Sequence, residues 1–159
     1  MNQKSLMAIA IISTACAPSS PKQEPFAPTE GTWVADSFQI IENTCNLETT
    51  DQAGETMTLT GSDGGFTFFF DADEPYVCTL SNQEFDCEEP SSLIGESDPD
   101  SEFAMDISVG GFFASNMDLA IITRLTLRCN VEDCSESEEY FGAAFPCATE
   151  TRIEMSFSE

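Results

Sequence analysis

The chain has 159 residues, room for one domain of ordinary size, with 29 Asp plus Glu against 5 Lys plus Arg and no His. A net charge of −24 repels nucleic-acid phosphates and anionic lipid headgroups, so nucleic-acid binding and a polybasic membrane-surface role are excluded. The hydrophobic content of 41%, including 13 Phe, is too high for a disordered chain, and a core is expected.

Residues 1–15 have the make-up of an export leader. Lys4 gives a positive start, Leu6 through Ile12 an apolar stretch too short to span a bilayer, and Ser13, Thr14 and Ala15 a run of small residues before Cys16. This resembles a bacterial lipoprotein signal, in which the family's Cys is lipidated and becomes the new N-terminus. The resemblance implies a membrane partner held through lipid on Cys16. Ala17, where the family's inner-membrane retention signal has Asp, implies transfer to the outer membrane.

Residues 16–30 read as a tether. Pro18, Pro21, Pro25 and Pro28 prevent helix and favour extended, polyproline-II-like chain. Residues 31–159 then form the acidic β-domain.

From residue 31 onward the signal is period two. Val34, Phe38 and Ile40 alternate with polar neighbours, as do Met57 with Leu59, and Phe66, Phe68 with Phe70. The pattern returns at Phe103, Met105, Ile107 and Val109, and on Leu119, Ile121, Leu125, Leu127 and Cys129. Ile153, Met155 and Phe157 end it. Each run is a strand with one buried face. Turn chemistry falls between them at residues 61–65, Asp73-Glu74-Pro75, Asn82-Gln83 and Gly110-Gly111. The fold class is therefore all-β, an antiparallel up-and-down meander of about eight strands. Closure into a small barrel hides its edges, and a two-sheet sandwich is the alternative. Residues 135–144 suit a short helix with an acidic first turn.

Seven cysteines are an odd number for an exported chain, and setting Cys16 aside leaves six to pair. A hairpin centred on Asn82-Gln83 puts Leu80 opposite Phe85 and Cys78 opposite Cys87, within reach of a disulfide. Two arrangements remain for the others: Cys129–Cys147 with Cys45–Cys134, or Cys129–Cys134 with Cys45–Cys147. An oxidising compartment argues against a zinc-thiolate site.

Gly31-Thr32-Trp33, just before the first strand, resembles the Gly-X-Trp signature of lipocalins. That resemblance implies a lipocalin-like barrel with Gly31 and Trp33 at its closed end and a small apolar ligand inside. In that family a late Arg packs across the Trp. Alternation puts Arg152 on the wet face, leaving Arg124 or Arg128 to substitute.

Without His, no Ser-His-Asp or Cys-His nucleophile and no His-ligated metal can be built. Lys22 lies in the tether, which closes a Ser-Lys route, and residues 61–65 lead into a strand rather than a phosphate-binding helix. Asp98, Asp100 and Glu102, and Asp71, Asp73 and Glu74, carry oxygen ligands suited to calcium. Phe103 stands where an EF-hand needs Gly, so these read as solvated acidic loops. No catalytic residue, metal or cofactor is expected. The expected function is a non-enzymatic cell-envelope lipoprotein binding a small apolar or amphipathic ligand in its barrel. The alternative is a structural or protein-interaction lipoprotein with a packed core, using Phe69, Ile122 or the Phe112-Phe113 pair on its outer face.

Overall fold

A computed structural model describes residues 26–62, 64–70, 75–88 and 103–159. The alternating runs become β1 (Gly31–Asn43), β2 (Thr56–Ser62), β3 (Gly65–Phe70), β4 (Tyr76–Ser81), β5 (Glu84–Glu88), β6 (Phe103–Ser115), β7 (Asp118–Cys129) and β8 (Cys147–Phe157). Each pairs antiparallel with the next, and β8 returns to β1 in a ladder from Trp33↔Phe157 to Asn43↔Thr149. The meander is a closed barrel. Closure satisfies the edge hydrogen bonds that a sandwich would leave open, so the sandwich alternative is set aside.

Strand length divides the barrel in two. β1, β6, β7 and β8 have 13, 13, 12 and 11 residues, whereas β2 to β5 have 7, 6, 6 and 5. All eight meet at the end where Ser62↔Gly65, Ser81↔Glu84 and Ser115↔Asp118 close the turns. Towards the other end the four long strands run on together as a curved sheet.

This unequal wall holds two apolar clusters. Trp33, Phe66, Phe68, Phe113, Leu59 and Met155 belong to the larger one, inside the closed end. The smaller joins Cys45, Leu127, Ala143 and Cys147 with half-buried Phe103, Phe141 and Phe145 at the far end of the long strands. Helix α1 (Ser135–Phe141) contributes Phe141 to it, 5.3 Å from the Phe103 ring. Gly142 ends α1 in the left-handed conformation, φ 65°. Before α1, Asp133 accepts the Ser135 N–H at 3.0 Å. That backbone bond, with a second from the Ser135 side chain, holds the Asp133 carboxyl below the usual carboxylate range. No helix among the described residues is long and apolar enough to cross a membrane.

Two sequence expectations fail here for physical reasons. Val34 does not share a face with Phe38 and Ile40. A bulge between Ala35 and Ser37 inserts a residue, so Val34 pairs with Ser156 while Phe38 pairs with buried Ile153. Gly110-Gly111 is not a turn either but lies within β6, opposite Asp86 and Phe85 on one side and Ile122 and Ile121 on the other. A Cβ on Gly111 would collide with the Ala120 carbonyl oxygen and stand 2.8 Å from Cζ of Phe85. Glycine there lets the backbones close around the Phe85 ring. The β6–β7 turn comes later, where the Ser115 hydroxyl donates to Asp118 at 2.6 Å. The expected turn at Asp73-Glu74-Pro75 lies mostly outside the described residues.

Candidate functional site

Beside the larger apolar cluster, on the side away from Trp33, lies an open cleft of about 450 Å3. Its walls follow from the inward rows of the strands: Phe38 on β1, Phe68 on β3, Tyr76 on β4, Val109 on β6, and Ile121 and Ile153 on β7 and β8. Thr123 and Thr151, directly paired across β7 and β8, add hydroxyl-bearing side chains. The β1–β2 connection supplies Thr49, Thr50, Gln52 and Glu55. Phe68 and Tyr76 stack with ring centroids 5.0 Å apart at 14°. The cleft is thus an apolar and aromatic chamber with a polar rim on one side, the usual composition of a small-molecule site. Ile40, paired with Thr151, is 50% exposed beside it.

The opposite end is plugged. Trp33 has no exposed surface, and its indole N–H donates to the Thr29 carbonyl at 3.1 Å. Phe113 and Phe157 meet it edge-on at 6.0 and 5.9 Å. Gly31 sits beneath Phe157, whose Cε2 would be 3.0 Å from an added Cβ. Its φ of 128° is one that L side chains rarely adopt. The chain enters at this end, where Phe26 lies 5.2 Å from Phe113 and Thr29 donates its N–H to Asn116.

Three disulfides brace the domain: Cys78–Cys87, Cys129–Cys134 and Cys45–Cys147. The first joins directly opposed residues of the β4–β5 hairpin, in register with Leu80↔Phe85. Of the two arrangements open for the other four cysteines, the structure has the local Cys129–Cys134 bridge and the long Cys45–Cys147 bridge. The arrangement with Cys129–Cys147 is not formed. Cys147 opposes Leu127 across β7 and β8, which leaves Cys129 beyond the end of that ladder. Three disulfides point to an oxidising compartment outside the cytoplasm.

No arginine packs across Trp33. Arg152 lies on the outer wall, 5.2 Å above the Phe112 ring and paired with Glu154. Arg124 pairs with Glu42 and Glu150, and Arg128 with Asp106, also outside. Phe112 is therefore covered by Arg152, while its neighbour Phe113 points inward and is buried, so the two cannot form one outer patch. Cys16 and both acidic groups considered for calcium, at residues 71–74 and 98–102, lie outside the described residues. Among the described residues no group of three or more His, Cys, Asp or Glu stands ready to hold a metal ion.

The chamber itself could not be named from the alternation pattern, because inward apolar residues look the same whether they fill a barrel or line it. The usable signal was the contrast between the long runs of β6 to β8 and the short runs of β2 to β5. The chain matches no protein-family model, no curated protein and no solved structure.

Proposed function

We propose that the protein is a non-enzymatic cell-envelope lipoprotein that takes up a small apolar or amphipathic molecule in the chamber beside its larger apolar cluster. The observation that carries this reading is the cleft of about 450 Å3, walled by Phe38, Phe68, Tyr76, Val109, Ile121 and Ile153. It is of the size and lining of a ligand pocket. The plugged end, with Gly31 and Trp33, supports a lipocalin-like arrangement, and the outward arginines are where it departs from that family.

The leader, the cysteine parity and the three disulfides together support export and lipidation at Cys16. Phe26 stands ten positions after Cys16, an extended reach of about 30 Å in polyproline-II form. Because the chain docks at the plugged end, the chamber opens away from the anchoring membrane on this reading. Ala17 favours the outer membrane as that anchor.

Native mass spectrometry of the protein from an oxidising periplasm tests both parts. The expected result is a chain short by the hydrogens of three disulfides, carrying acyl mass that Cys16→Ser abolishes, with an apolar adduct or saturable uptake of an apolar fluorescent probe. A domain that takes up no apolar probe would replace ligand binding by the packed interaction reading.

A further inference from the structure

The chamber has an aromatic wall and a polar rim, and none of the described residues lining it is basic. Each arginine among the described residues is held on the outer wall by a carboxylate, and the only lysines, Lys4 and Lys22, precede the domain. Of the described residues lining the chamber, Glu55 alone is a carboxylic acid. Its backbone is fixed, with the N–H donating to Gln52 at 3.1 Å and the carbonyl accepting from Ala35 at 2.9 Å. Its side chain has no hydrogen bond or ion pair among the described residues.

We infer that the chamber selects amphiphiles with a cationic head, such as an alkylammonium, whose charge rests near Glu55 while the apolar body lies against Phe38, Phe68 and Tyr76. The inference rests on the ligand-binding reading above and names the chemical class of the ligand. A carboxylate-headed amphiphile would bring its charge beside Glu55 into the field of a chain of net charge −24, with no basic residue to meet it. A neutral head would gain nothing from that field. An ammonium gains from the Glu55 carboxylate, which no cation among the described residues neutralises. Thr49, Thr50 and Gln52 beside Glu55 offer neutral hydrogen-bond partners to the same head.

The test is calorimetric titration of the mature chain bearing Cys16→Ser, exported behind a conventionally cleaved leader, so that no detergent competes for the chamber. Three probes share a decyl tail: decyltrimethylammonium, decanol and decanoate. The ammonium is expected to bind about tenfold more tightly than decanol, a difference of ~1.4 kcal/mol, with decanoate weakest. Glu55→Gln should erase the advantage, bringing the ammonium and decanol to the same affinity in that variant. Glu84→Gln, a charge removed from the plugged end, should leave the preference intact and so separates a local effect from the general negative field. Circular dichroism checks that each variant is folded. If decanol binds but the ammonium shows no advantage, or Glu55→Gln leaves the advantage in place, the charge selection is wrong and the chamber remains an apolar site. If none of the three binds, the ligand-binding reading falls and takes this inference with it.

Discussion

Trp33 and Arg152 show how far single residues could be read in advance. The Gly-X-Trp sequence pointed to a plug at one end of a barrel, and the indole is fully buried there with its N–H bonded to Thr29. Arg152 was legible as outward from alternation alone, because Ile153 and Met155 claim the inner face of β8. Val34 was not legible, since the bulge beside it has no signature in the residue pattern. The different placements predict different costs. Trp33→Ala should lose about 3–5 kcal/mol in chemical denaturation, the usual cost of truncating a large core aromatic. Arg152→Ala should lose less than about 1 kcal/mol, because its ion pair is solvent-exposed. A large loss from Arg152→Ala would mean that the arginine supports the core after all.

At the level of elements, the β4–β5 hairpin and the closed meander were read correctly, while the pairing of the four remaining cysteines stayed open between two arrangements. The two-residue turn at Asn82-Gln83 dictates its own register, so Cys78 and Cys87 could be paired from sequence. The choice between the two remaining arrangements depended on where the connection after β7 folds back, which local spacing does not state. The bridges found differ greatly in span: 102 residues for Cys45–Cys147, 9 for Cys78–Cys87 and 5 for Cys129–Cys134. A cross-link restrains the unfolded chain more as its loop lengthens. The long bridge should therefore contribute up to about 4.7 kcal/mol, and each short one about 2–3 kcal/mol. Paired Cys→Ala substitutions, compared by guanidinium unfolding, should rank in that order. Equal losses would show that local packing, not loop length, governs them. Gly110-Gly111 was misread because paired glycines usually mark turns, whereas here they let three strands meet closely around Phe85. Gly111→Ala should cost about 1–3 kcal/mol, the range for overpacking a filled site. Ala at Gly64, where an added Cβ meets nothing within 4 Å but φ is 80°, should cost only the smaller penalty of a left-handed backbone.

Over the whole molecule, what the sequence conveyed best was charge and topology. Neither depends on knowing whether the interior is full. Charge sets the last expectation. With 29 acids against 5 bases the folded chain repels itself, and compaction brings those charges closer together than they lie in the unfolded chain. Salt screens that repulsion, since the Debye length falls from about 30 Å at 0.01 M to about 10 Å at 0.1 M. Salt also weakens the ion pairs of Arg124, Arg128 and Arg152, but these stand on the surface and are worth little each. The repulsion is the larger sum, so the melting temperature should rise with sodium chloride, steeply at first and then levelling as screening becomes complete. A melting temperature that falls with salt would place the four arginine ion pairs among the main supports of the barrel, and the acidic coat would then cost the fold almost nothing.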